Sequence, residues 1–167
     1  MAGDEQSPRL AEVFADSAAV GELLRAKGWR VAVAESCTGG LLGAALTAVP
    51  GSSTYVRGGV IAYDNAVKVL LLGVAPEALA EHGAVSGVVA TAMARGARDR
   101  VGAEVGIGIT GVAGPGSEEG GKPAGLVFVA LVAPGVDRMV RLDGDHGRDG
   151  NRAAAVRAAL GLLQELG

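Results

Sequence analysis

Three short segments hold the side chains best suited to chemistry: Ser36-Cys37-Thr38-Gly39-Gly40, the run from Tyr63 to Lys68, and the run from Thr110 to Pro115. Ser36 falls where an apolar run gives way to glycines. A serine at such a strand-to-helix turn can expose its hydroxyl, and Gly39 and Gly40 permit a tight bend and close approach of a substrate. Backbone amides from Thr38 to Gly40 can bind a phosphate or stabilise an oxyanion. The plainer alternative is that Ser36 or Thr38 caps the helix that follows. The surroundings are not the G-x-S-x-G elbow of the α/β-hydrolases.

A serine hydroxyl needs a base at neutral pH. The two histidines are poorly placed: His82 ends a surface helix, and His146 sits in a polar run with Asp143, Asp145 and Asp149. Lys68 is the better candidate, one helical turn past a strand, where burial or a nearby cation can lower its pKa. Its other reading is a solvated helix lysine. Tyr63 can relay a proton or orient a substrate, or simply pack. Cys37 is intrinsically more nucleophilic than Ser36. Neighbours in a turn point in different directions, however, and no histidine lies nearby in sequence. Cys37 therefore reads as a small buried residue, with a cysteine-dependent hydrolase as the rival.

Arg148 and Arg152 lie one helical turn apart and can grip a phosphate as a pair, or stand solvated on the surface. Two patterns are rejected. Gly106-Ile107-Gly108-Ile109-Thr110-Gly111 matches G-x-G-x-x-G but lies within a strand with no helix following. Gly116 to Pro123 resembles a P-loop as far as Lys122, yet Pro123 replaces the hydroxyl that would hold magnesium. No set of His, Cys and carboxylate residues has metal-ligand spacing, so no metal or cofactor is expected.

The positioning elements follow from periodicity. After a tail at residues 1–8, residues 10–27 carry helical spacing, and residues 30–35 read as a buried strand. A helix over 41–48, a strand over 58–63 and a helix over 65–72 capped by Asn65 come next. Helices follow over 76–81 and from a Ser86 cap to residue 100, then a strand over 104–110. Strands over 126–132 and 138–142 pair across the Pro134-Gly135 turn, and a helix covers 151–166. This order predicts an α/β sandwich with a mixed sheet, its first three strands parallel and at least one later strand antiparallel. Ligands bind beyond the carboxyl ends of such strands, and the three segments above occupy those ends.

Composition narrows the class. Of 167 residues 49% are hydrophobic and 20% charged, which fits one folded domain over residues 9–167. The net charge of −3 and only five aromatic residues weigh against a nucleic-acid binder. No apolar stretch suits a membrane span, the acidic N-terminus is wrong for a secretory signal, and a lone cysteine suits the cytoplasm.

Together, Ala34 to Gly40, Gly51 to Ser53, Tyr63 to Lys68, His82 to Ser86, Thr110 to Pro115 and Lys122-Pro123 closely resemble the C-terminal domain of the competence/damage-inducible CinA family. The resemblance covers nearly the whole chain, without the family's N-terminal molybdopterin-binding-like domain. It implies a three-layer α/β/α fold of the anticodon-binding-domain type with a mixed, mainly parallel five-stranded sheet, and a homodimer. It implies metal-free deamidation of nicotinamide mononucleotide (NMN) to nicotinate mononucleotide. Ser36 would be the nucleophile, with Lys68, Tyr63 and Thr110 as catalytic neighbours. Thr38, Gly39, Gly40, Ser52, Ser53, Gly111, Arg148 and Arg152 would bind substrate. Two departures stand out: His146-Gly147 where the family usually has Gly-Asp, and Gly116-Ser117-Glu118-Glu119-Gly120-Gly121 in a loop that usually holds glycines and a threonine before Lys-Pro. Carboxylates aimed inward would repel a phosphate.

Overall fold

A computed structural model of the chain describes residues 8–167. The tail expected at 1–8 lies, apart from Pro8, outside the described residues. Strands β1 (Val31–Glu35), β2 (Val56–Ile61), β3 (Val105–Gly111), β4 (Val127–Ala133) and β5 (Val136–Leu142) form one sheet in the order β2-β1-β3-β4-β5. β1 pairs in parallel with β2 and β3, whereas β3–β4 and β4–β5 are antiparallel. Only β4 therefore opposes the common strand direction, and the expected mixed, mainly parallel sheet is present.

Helices α1 (Leu10–Val13), α2 (Asp16–Lys27), α3 (Leu41–Thr47), α4 (Asn65–Leu72), α5 (Pro76–His82), α6 (Gly87–Val101) and α7 (Gly147–Gln164) flank the sheet. Side-chain alternation divides the central strands between two cores. Val31, Val33, Ile107, Ile109, Val129 and Leu131 pack with residues of α2, α3 and α7. On the other face Ala32 and Ala34 meet Val89, Met93 and Ala97 of α6. That second face is built from small residues so that α6 can lie close. A Cβ at Gly106 or Gly108 would strike the backbone of Ala94 or Ala90. The rejected G-x-G-x-x-G pattern is thus a helix-packing surface inside β3.

Several boundaries differ from expectation. The first helix is two: Phe14 leaves helical geometry and buries its ring in the core, while every residue of α1 stays out of it. Asp64, not Asn65, caps α4 by accepting the Ala66 N–H at 2.7 Å. β2 ends at Ile61, so Tyr63 lies beyond the strand. α7 starts at Gly147, because Asp145 and Asn151 side chains accept the Gly147 and His146 amides and close its first turn. No helix among the described residues is long and apolar enough to cross a membrane.

Candidate active site

Strand register brings the chemistry together. Glu35 aligns with Ile109 on β3 and with Ile61 on β2. One residue further, Ser36 stands beside Thr110, and its amide donates to Ile109 O at 3.0 Å. After β2 the chain passes Ala62 and Tyr63, turns at the Asp64 cap, and carries Lys68 back over the strand ends on α4.

Lys68 is almost wholly buried, so the solvated reading is excluded. Its Nζ contacts Ser36 Oγ at 3.1 Å, Ala62 O at 2.8 Å and Tyr63 O at 3.1 Å. A neutral amine has two hydrogens and one lone pair. The two carbonyls can only accept, so they take the hydrogens and leave the lone pair facing the Ser36 hydroxyl. Burial pulls the Lys68 pKa below its ordinary value, outweighing the opposing field of Asp64. This is the arrangement a serine needs to lose its proton.

Glu35, the residue before Ser36, points to the opposite face and is fully buried. Its carboxylate accepts the Leu42 and Gly43 amides at 2.9 and 3.0 Å. Neither Ser36 nor Thr38 caps α3; the N-cap is Gly40, with φ 101°, and it makes no side-chain cap bond. Thr38 O takes the Leu41 amide and Ser36 O the Gly39 amide. The donors at this helix start are therefore largely committed within the protein. Glu35 was missed in the sequence because an acid ending an apolar strand carries no spacing signal toward amides seven and eight residues on.

Ser36, Tyr63, Lys68, Thr110, Gly111 and Arg148 line one cavity of about 290 Å³, closed on one side by Ala84 and Val85 and on another by the segment 112–118. Thr110 Oγ1 donates to Ala84 O at 2.8 Å. Arg148 reaches in from α7, donating to Gly114 O at 2.6 Å and to the Tyr63 hydroxyl at 3.4 Å. Both partners are neutral, which leaves its charge available to an anion. Glu118, from the departing loop, lies on the same wall.

Most of the other candidates lie elsewhere. Thr38 is buried, and its carbonyl accepts from Arg152 Nη2 at 3.0 Å, which holds Arg152 over Gly39 and off the cavity wall. Gly40 borders a separate groove between α3 and β2. Ser52 and Ser53 form a short 3-10 turn just before β2, at the amino ends of the strands and so at the far end of the sheet from Ser36. Cys37 also borders the cavity, but it packs with the core, and burial pushes its thiol up to about 11. The Nε2 of His82 lies 3.8 Å from Glu81, His146 precedes α7, and neither lines the cavity. No group of three potential metal ligands occurs among the described residues.

A buried serine–lysine pair at the carboxyl ends of parallel strands in an α/β/α sandwich defines a class of site suited to nucleophilic hydrolysis. The CinA C-terminal domain sequence model matches residues 15–166, and the chain belongs to that family. A CinA-like protein of Gloeobacter violaceus is 51% identical over 144 residues, 85% of this chain and 34% of the relative. A CinA-like protein of Thermosynechococcus vestitus is 49% identical, over 87% of this chain and 36% of its own. The chain thus spans about a third of the length of these curated relatives. The structure is similar to competence/damage inducible protein CihA from Agrobacterium tumefaciens, with TM-score 0.88, 40% identity, and 92% and 94% of the two chains covered. It is equally close to a CinA superfamily protein of Escherichia coli, with TM-score 0.88, 35% identity, and 96% and 94% covered.

Proposed function

We propose that the chain is an amidohydrolase that converts NMN to nicotinate mononucleotide and ammonia. The observation that carries this reading is the 3.1 Å contact between Lys68 Nζ and Ser36 Oγ inside a cavity whose mouth holds Arg148. Lys68 takes the Ser36 proton as Oγ attacks the carboxamide carbon. The tetrahedral intermediate collapses as Lys68 returns that proton to the amide nitrogen, and ammonia leaves. Water, deprotonated by Lys68, then cleaves the ester; the acid departs and Ser36 regains its proton. With the α3 amides committed, the backbone of Gly111 on the cavity wall is the candidate to receive the oxyanion. Arg148 holds the phosphate and Tyr63 orients Arg148.

The carboxamide specificity and the NMN substrate come from the family resemblance, and the site supplies groups that fit them. A cytoplasmic location and a homodimer belong to the same proposal. Large apolar side chains exposed on β2 and the following helix, Ile61, Leu70 and Leu71, support a partner copy.

The test is incubation of purified protein with NMN, measuring ammonia and nicotinate mononucleotide. Sustained, equal release of both that disappears in Ser36→Ala supports the enzyme. NMN binding without release supports a regulatory module of the same fold, the alternative that the Glu118 loop keeps open.

A further inference from the structure

Ala84 and Val85 of the turn at 82–85 form one wall of the cavity, and each of the turn's four carbonyls accepts a hydrogen bond from a side chain. Lys122 Nζ donates to His82 O at 2.9 Å and to Val85 O at 2.5 Å. Ser86 Oγ donates to Gly83 O at 3.0 Å, and Thr110 Oγ1 to Ala84 O at 2.8 Å. Gly83 has φ +75°, a conformation that favours glycine, and a Cβ there would sit 2.9 Å from Lys122 Nζ and displace it. Lys122 O in turn accepts the Glu118 amide at 3.1 Å, which ties the 116–122 loop to the same clamp.

The clamp has a consequence for Thr110. A carbonyl can only accept, so the Thr110 hydroxyl proton is committed to Ala84 O, and its oxygen is left as an acceptor on the wall beside Ser36. An acceptor at that place favours a carboxamide, which has N–H groups to give, over a carboxylate, which has none. We infer that Lys122 is a positioning residue for amide recognition: by fixing the 82–85 turn it fixes the polarity of the Thr110 hydroxyl, and so lets the site tell the amide substrate from its acid product. This rests on the amidase reading above.

The experiment compares wild type with Lys122→Met, measuring KM and kcat for NMN, inhibition by nicotinate mononucleotide, and the pH profile of kcat. The expected result is a rise of about tenfold in KM with product inhibition unchanged or tighter, because one oriented amide hydrogen bond is lost. The pH profile, set by Lys68, stays in place. Thr110→Val should erode the same discrimination, and the double variant should be no worse than Thr110→Val alone. Lys122→Arg, which keeps donors for both carbonyls, should recover most of it.

Should Lys122→Met not fold, the same comparison is made on Lys122→Gln. An unchanged KM, or substrate and product weakened by equal factors, overturns the inference while leaving the amidase intact. Absence of NMN turnover in wild type overturns the amidase reading and this inference with it.

Discussion

Replacing Lys68 with methionine keeps most of the buried volume and removes the base. The structure sets the expected size of the effect. A positioned general base contributes roughly 10²- to 10⁴-fold to rate. In the proposed mechanism the same amine also protonates the leaving nitrogen and activates the water, so kcat for NMN should fall by about 10³-fold or more. Stability should respond differently. Methionine leaves Ala62 O and Tyr63 O without their donor, at about 1 kcal/mol for each lost bond. It also removes the cost of burying a lysine amine, which at neutral pH opposes that loss.

The sign with pH is fixed. Burial lowers the folded-state pKa of Lys68, so the unfolded chain binds the extra proton between that pKa and the ordinary lysine value. Wild type is therefore penalised below its folded pKa and gains stability as pH rises toward 10.5. Lys68→Met lacks this gain, so it should be the less stable protein near pH 10, by about 2 kcal/mol, with a smaller deficit at pH 7. Denaturant melts at the two pH values, beside ammonia release at pH 7, measure both effects. Retention of more than a tenth of wild-type kcat would refute the assignment of Lys68 as base. A stability difference that moved in the opposite direction with pH would refute its burial as a titrating amine.

Other consequences follow from the same geometry. Glu35→Ala strands two amides at the start of α3 and should cost about 2–4 kcal/mol in denaturant unfolding, with Glu35→Gln milder because it still accepts. Cys37→Ala should keep wild-type turnover, and the native thiol, pushed up to about 11, should react with a thiol reagent at pH 8 only after unfolding. Arg148→Ala should raise KM for NMN by about tenfold or more and leave competitive inhibition by nicotinamide riboside unchanged, since only the former carries a phosphate.

The convergence of the three chemical segments was legible because each lies at the carboxyl end of a locally encoded strand; that β1 lies between β2 and β3, which brings them together, came from the fold. Small residues alternate with large along β1 and β3, and continuing that alternation puts Ser36, just after β1, and Thr110, near the end of β3, on the α6 face. What escaped was set by long-range backbone contacts. Lys122 finds its partners in carbonyls 37 and 40 residues away, and carbonyls leave no mark in a sequence. Glu35 acts through amides for the same reason. Gly106 and Gly108 could be dismissed as a nucleotide loop, but their purpose became visible only with α6 lying over them. Arg148 and Arg152, alike in spacing, were separated by which carbonyl each one reached.

The most direct test of the serine–lysine mechanism is turnover of NMN with hydroxylamine present. An ester on Ser36 predicts that nicotinoyl hydroxamate mononucleotide and nicotinate mononucleotide form in a ratio proportional to hydroxylamine concentration, while the rate of ammonia release does not fall. Turnover that yields acid alone at every hydroxylamine concentration would mean that water attacks the amide directly, and Ser36 would not be the nucleophile.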